Sequence, residues 1–314
     1  MSQRCLVTGA AGLIGFEVAR QLALEGHAVV AVDNGSKGGL ADLERLAQEQ
    51  ARRVELVQAD LAGAFELPGG RYDTIFHLAA IVGVRYVSEH PYETLAVNAR
   101  STLNVLDFAL REGCGAFVFA SSSENYAWGV ERGLVPLPTP EDVVLGVDDV
   151  ALPRWSYAAS KIAGESAVFS AARLGGFEPV IARVHNVYGP RMGPTHVIPE
   201  LLDRCRRRVD PFPVYGPEQT RSFLHVEDAA RAFRLIAAAE SGITNVGSSA
   251  EIKIDELVRI VLDVTGHRPR IEPKPAPAGS VARRVPDTQK LARLGFTPEI
   301  PLERGVRGCW ATAK

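Results

Sequence analysis

The sequence predicts an α/β protein, a doubly wound parallel sheet followed by a smaller mixed α/β C-terminal lobe. Three observations predict it. Short apolar runs recur through the first 185 residues, each closing on polar or glycine-rich residues and each followed by a helical pattern. The first run opens into the glycine turn Thr8-Gly9-Ala10-Ala11-Gly12-Leu13-Ile14-Gly15. After Asn186 the texture changes, with Gly and Pro clustered at Tyr188-Gly189-Pro190-Arg191 and again over 211–217.

A chain of 314 residues suits one large domain or two small ones. The net charge of −2, with acids and bases interspersed, argues against a nucleic-acid or anionic-membrane partner. No apolar run reaches the roughly 18 residues of a membrane span. Met1 runs almost at once into a strand, which leaves no room for a cleavable signal and predicts a cytoplasmic protein. Cys5, Cys114, Cys205 and Cys309 lie far apart, so reduced thiols and no metal are expected.

Residues 5–8 read as a buried strand. The glycines after it permit a tight turn, close approach of a pyrophosphate, and packing of helix on strand. The helix that follows, through Val18, Leu22 and Leu24, offers its unpaired N–H groups and positive dipole end to phosphates. A second strand, 28–32, ends at Asp33, whose carboxylate suits ribose hydroxyls and repels a 2′-phosphate, favouring NAD over NADP. A third, 54–57, ends near Asp60-Leu61, where a carboxylate could meet the adenine amine. A fourth, 74–77, runs into His77-Leu78-Ala79-Ala80, and a long helical pattern over 91–110 contains Asn98.

The fifth strand, 116–120, stops at Ser121-Ser122-Ser123-Glu124-Asn125-Tyr126. Ligands of open parallel sheets sit beyond the strands' carboxyl ends, which places these hydroxyls and Glu124 at the site. The segment 155–165 then sets Tyr157 and Lys161 one helical turn apart on one face. A phenol titrates near 10, and a neighbouring ammonium favours the phenolate a general base needs. A sixth strand covers 179–184. Helical pieces follow at 198–207, 227–239 and 254–265, and Arg191, Arg221 and Arg284 carry forks suited to phosphate oxygens. The expected division is a dinucleotide-binding domain of 1–185 plus about 225–245, and a second lobe of 186–224 and 246–314.

Assembled in order, T-G-A-A-G-L-I-G, Asp33, H-L-A-A, S-S-S-x-x-Y, Y-A-A-S-K, R-V-H-N-V-Y-G-P-R-M, Q-T-R-S-F-L-H-V-E-D and R-V-P-D resemble the extended short-chain dehydrogenase/reductase family. Within it they resemble the NAD-dependent nucleotide-sugar epimerases and dehydratases. The resemblance implies a Rossmann-type NAD domain lined by Gly9, Gly12, Leu13, Ile14, Gly15, Asp33, Asn34, Asp60 and Leu61 on one side. Leu78, Ala79, Ala80, Asn98, Tyr157 and Lys161 would line the other. It implies Tyr157 as acid and base, Lys161 as holder of the nicotinamide ribose that lowers the tyrosine pKa, and Ser122 as hydrogen-bond partner of the reacting hydroxyl. It gives His77 no acid–base role, so a structural histidine is expected. The nucleotide sugar would meet Val82, Gly83, Arg85, Ser122, Ser123, Glu124, Asn186, Val197 and Tyr215, with Arg221 and Arg284 on its diphosphate.

The branch is read from two motifs. Gly83-Val84-Arg85-Tyr86 looks like the G-V-R-Y of 4-epimerases acting on UDP-sugars, although H-N-V-Y-G-P-R-M-G departs from the T-V-Y-G-P-R-Q-R of the uronate 4-epimerases. Glu124 occupies the place where 4,6-dehydratases and UDP-glucuronate decarboxylases carry an acid. The expected function is a nucleotide-sugar 4-epimerase working through a transient 4-keto sugar, on a UDP-hexose or UDP-hexuronate. A dehydratase or decarboxylase using Glu124 is the alternative, and a non-catalytic sensor is opposed by the intact Ser122, Tyr157 and Lys161. By analogy with the family, a homodimer is expected through the 91–110 and 155–173 helices.

Overall fold

The computed structural model describes residues 2–239, 241–276 and 281–312. Seven strands form one sheet: β1 (Arg4–Thr8), β2 (Ala28–Asp33), β3 (Val54–Gln58), β4 (Tyr72–His77), β5 (Cys114–Ser122), β6 (Glu178–Val184) and β7 (Gly242–Val246). Their spatial order is β7-β6-β5-β4-β1-β2-β3, and every pairing is parallel. The chain leaves β1 for β2 on one side and returns to β4 on the other. The loops after β1 and β4 therefore part, and a crevice opens between them at the carboxyl ends. The fold is the predicted doubly wound, Rossmann-type sheet.

Alternation along the strands sends side chains to both faces. Cys5 and Val7 of β1 join the core beneath α1 (Leu13–Leu24) and α2 (Leu40–Glu49). Leu6 joins the opposite core, with α3 (Pro91–Glu112) and α4 (Trp155–Gly175). Two elements of the sheet layer, α2 and β7, were not expected. α2 carries a helical spacing in Leu40, Leu43 and Leu46 that sequence reasoning passed over, with Leu43 and Leu46 buried, whereas the short β7 is secured by pairing with β6 rather than by its own apolar content. β5 runs two residues past the predicted 116–120, because Ser121 and Ser122 continue the ladder against Arg183 and Val184. That extension carries Ser122 to the mouth of the crevice.

Two glycine contacts set the site. A Cβ on Gly9, whose φ is +67°, would stand 2.7 Å from the Ala79 nitrogen, and one on Gly15 would strike the Gly9 carbonyl. The turn is thus closed on itself and against the β4 loop. Gly164 does the same for α4: a Cβ there would run into the Phe119 ring, so its absence lets the helix settle on β5.

Elements outside the large sheet come from 187–225 and from the described residues of 251–312, including α5 (Val197–Arg206), α7 (Ile254–Thr265) and α8 (Leu302–Thr312), while Leu291 of the helix Gln289–Arg293 joins the large-sheet core. The intervening α6 (Val226–Ala237) packs with α1 on the large sheet. The outer elements share a separate core of Tyr188, Ile198, Leu201, Phe212, Leu257, Val261 and Val306. A three-stranded sheet there sets Glu251–Lys253 and Arg283–Arg284 on either side of Thr220–Ser222, with Arg284 registered opposite Arg221. Of the segment 246–314, residues 277–280 and 313–314 lie outside the described residues. Among the described residues no helix is long and apolar enough to cross a membrane.

Candidate active site

The crevice is built from the β1 turn outward. Gly12 caps α1 without a side-chain hydrogen bond, so the first-turn N–H groups are not consumed by a cap. Asp33, at the end of β2, accepts from the Ala11 nitrogen at 3.0 Å and from the Gly35 nitrogen at 2.8 Å. It shapes the turn, and each oxygen keeps a lone pair for a further donor. Asn34 accepts from the Ser36 nitrogen at 3.0 Å, and Asp60 from the Ala62 nitrogen at 3.0 Å beside the buried Leu61.

The facing wall is the loop after β4. Leu78 and Ala79 both donate their N–H to Thr8 Oγ1 at 3.2 Å. The Asn98 side chain accepts from the Ile81 nitrogen at 2.7 Å and donates to the Ile81 oxygen at 3.1 Å and to Ser160 Oγ at 3.2 Å. It fastens this wall to α4. His77 is fully buried between Thr8 Oγ1 at 2.8 Å and Thr102 Oγ1 at 3.2 Å. Burial, and then the Lys161 charge, push its pKa down to about 3, which leaves a neutral ring bracing two hydroxyls.

Where β5, α4 and the small sheet meet, the Tyr157 hydroxyl lies near the Ser122 side chain, which pulls its pKa down. Ser122 Oγ also accepts from the Glu124 nitrogen at 3.2 Å. Lys161 is 3% exposed, its ammonium 4.8 Å from the Phe119 ring centroid and 5.8 Å from that of Tyr157. The electrostatics differ from the expectation that the lysine lowers the tyrosine. Burial pushes Tyr157 up to about 12, with Ser122 pulling down and Glu124 pushing up. Burial pushes Lys161 down to about 7, opposed by Glu165. Both groups lose water on entering the site, and that loss outweighs what they do for each other.

A pH dependence follows. An unfolded lysine titrates near 10.4, so between about 7 and that value the unfolded chain binds the Lys161 proton and the folded chain does not. Stability rises with pH wherever the unfolded state holds more protons. The cofactor-stripped Lys161→Met variant is expected to be more stable than the parent at pH 7, with the gap closing towards pH 10. Urea melts of both proteins across that range check it, and a gap independent of pH would refute it.

Glu124 forms an ion pair with Arg284 at 2.6 Å, both side chains partly buried. Arg221 lies on the neighbouring strand, and its pKa is lowered to about 10 by burial and then by Arg284, with Glu124 opposing. Arg284 alone holds the carboxylate, while Arg221 bonds the Thr220 oxygen at 2.7 Å, and two neighbouring guanidiniums of which one is paired suit a multiply charged anion. Asn186 holds a left-handed φ of +39° and donates to the Ser222 oxygen at 3.0 Å. Ser123 lines a small cavity with Tyr126, His185 and Arg284. Val197 opens α5 against the small lobe's core, and Tyr215 is 45% exposed, the Arg204 guanidinium carbon 5.4 Å from its ring centroid. The 82–85 segment is turned outward: Val82 is exposed, Gly83 takes φ +108°, and Arg85, with its side chain 80% exposed, pairs with Glu89 at 2.8 Å.

Two features escaped sequence reasoning. Glu165 and Arg183, both buried, form a two-pronged pair beneath Lys161, Nε to Oε1 at 2.9 Å and Nη2 to Oε2 at 2.7 Å. The spacing Tyr157, Lys161, Glu165 continues one helical face and was the available signal. Arg191 reaches from beyond Asn186 to the glycine turn, and no local pattern announces that contact.

A doubly wound sheet with Ser122, Tyr157 and Lys161 gathered at its crevice defines an NAD-dependent enzyme of the extended short-chain dehydrogenase/reductase type. The chain belongs to the NAD dependent epimerase/dehydratase family, whose model matches residues 5–247. It is 34% identical to a UDP-N-acetyl-alpha-D-glucosaminuronate decarboxylase of Bacillus cytotoxicus, over 98% of this chain and 96% of that one. Among solved structures it resembles a UDP-galactose 4-epimerase, 29% identical with a TM-score of 0.81 and 98% of both chains covered. It also resembles MoeE5 in complex with UDP-glucuronic acid and NAD, 27% identical with a TM-score of 0.77 and 97% of both chains covered. The cofactor is NAD, and the glycine cradle, the uncapped α1 terminus and Asp33 fit it.

Proposed function

We propose that this chain is an NAD-dependent UDP-hexuronate decarboxylase that works through a 4-keto sugar. The observation that carries the reading is Glu124, a carboxylate at the end of β5 beside Ser122 and held by Arg284. The 34% identity to a uronate decarboxylase over nearly the whole chain supports it. The 4-epimerase reading leaned on the 83–86 motif, and its arginine faces solvent on Glu89.

In this reading residues 186–224 and 246–314 hold the nucleotide sugar, with Arg221 and Arg284 on its diphosphate. The glycine turn and Asp33 would hold NAD, which would supply the hydride acceptor for C4 and a positive ring that favours the phenolate burial alone disfavours. Tyr157 takes the 4-hydroxyl proton. The resulting ketone is β to the uronate carboxylate, so the C5–C6 bond breaks, carbon dioxide leaves, and the electron pair rests on O4 as an enolate. The Ser122 and Tyr157 hydroxyls donate to that developing charge. Arg284 turns from Glu124 to the diphosphate as substrate binds, Glu124 takes a proton from solvent and passes it to C5, and Tyr157 returns its proton to O4 as C4 is reduced.

The test is incubation of purified protein with UDP-uronates and UDP-hexoses, followed by NMR and mass spectrometry. Loss of carbon dioxide from a uronate is expected. In Glu124→Gln, product formation is expected to fall by roughly 10²–10⁴-fold, as for loss of a general acid, while C4 oxidation persists. A product of unchanged mass with inverted C4 would return the assignment to the 4-epimerase, the second reading, which the likeness to a UDP-galactose 4-epimerase and the G-V-R-Y motif favour.

A further inference from the structure

Arg191 sits in the turn after the strand Val187–Tyr188, where the Met192 nitrogen donates to the Gly189 oxygen at 3.0 Å. Met192 packs on the small lobe's core, so this turn is anchored on that side. The Arg191 side chain leaves it in the other direction. Its Nη2 donates to the Ala11 oxygen at 3.0 Å, its Nη1 pairs with Asp42 of α2, and its guanidinium carbon lies 4.1 Å from the Phe16 ring centroid.

The peptide it grips belongs to the cofactor turn. Ala11 is held at its nitrogen by Asp33 and at its oxygen by Arg191, and the next residue, Gly12, caps α1. Room for the guanidinium comes from Gly39, the α2 cap: a Cβ there would stand 2.8 Å from Arg191 Nη2. The buried Nε has no partner among the described residues, which leaves one donor unspent beside the turn.

We propose that Arg191 is a strap, carried by the small lobe, that positions the glycine turn for NAD and slows its release. An arginine is needed because one planar fork must serve a carbonyl and a carboxylate together while stacking on a ring. A lysine offers a point charge and can satisfy only one of them at a time. The strap couples cofactor retention to the seating of the small lobe, which suits a cofactor that is reduced and reoxidised in place. The inference needs the NAD site and is independent of which reaction follows C4 oxidation.

The test compares the full-length parent with Arg191→Met, Arg191→Lys and Asp42→Asn. NAD content after purification is read by chromatography of the denatured protein. Affinities of the stripped proteins for NAD and, separately, for UDP are read by calorimetry. For Arg191→Met, NAD affinity is expected to fall by about 10–100-fold, the equivalent of about 1.4–2.8 kcal/mol. The Lys and Asn variants should fall between it and the parent, and UDP affinity should stay within about twofold. Parent-like NAD retention in Arg191→Met would overturn the proposal. An equal fall for NAD and UDP would also overturn it, since Arg191 would then only dock the lobes. Should Arg191→Met fail to fold, parent-like NAD affinity in both milder variants would refute it equally.

Discussion

Tyr157→Phe is expected to lower kcat by roughly 10²–10⁴-fold, as for loss of a positioned general base, with NAD still bound. The phenyl ring keeps its packing on α4, and only the hydroxyl that meets Ser122 is lost. Burial holds that hydroxyl protonated in the cofactor-free chain, so its reactivity depends on what occupies the crevice. The nicotinamide ring brings a positive charge, Lys161 brings a second once solvation by a ribose supports its proton, and Ser122 already pulls the pKa down. Turnover should therefore rise with pH in the parent and be low and flat in the variant. Steady-state rates across a pH series, with NAD content measured alongside, check this. A variant that keeps turnover within a few-fold of the parent would remove Tyr157 from the chemistry.

Glu165→Gln is expected to cost about 3–5 kcal/mol of stability, the usual penalty for stranding one member of a buried ion pair. Arg183 is 2% exposed and would keep its charge with half of its partners gone. It also donates through Nη1 to Tyr126 Oη and to the Glu141 oxygen, both at 2.8 Å, so the loss spreads into the floor of the site. Ser121 and Asn125, which donate to Glu165 Oε1 at 2.5 and 3.0 Å, would meet an amide whose orientation cannot serve all of them. Replacing both charges together, Glu165→Leu with Arg183→Met, should recover much of the loss, because a well-packed apolar pair avoids the desolvation cost. Urea unfolding of the two variants and the parent decides it. Equal stability of Glu165→Gln and the parent would mean that Arg183 finds another counter-charge.

The Glu165 pair also bears on Lys161. The carboxylate one turn below supports the ammonium, while its own position is fixed from β6. His77 and Phe119 close the opposite side, the histidine neutral and the ring facing the amine. The lysine's surroundings are thus set from three strands and its own helix together.

What the sequence determined by itself is the local grammar. The strand, glycine turn and helix at 5–24, Asp33 after the second strand, and Tyr157 with Lys161 on one helical face are short-range patterns. Each follows from a steric or periodic rule that acts within a few residues. The family could be read because many such patterns stand in order. Tertiary structure decided everything that depends on residues far apart meeting. It turned Arg85 to solvent, brought Glu124 to Arg284 across 160 positions, set Arg221 against Arg284 through strand register, and carried Arg191 over to Ala11. In the cofactor-free chain it also raised the pKa of Tyr157, which the neighbouring Lys161 was expected to lower. Adjacency on a helix predicts mutual support, but the loss of water that dominates both groups comes from the strands and loops that close over them. Periodicity acts along the chain, whereas burial and charge act through space, and the branch of chemistry rests on the second.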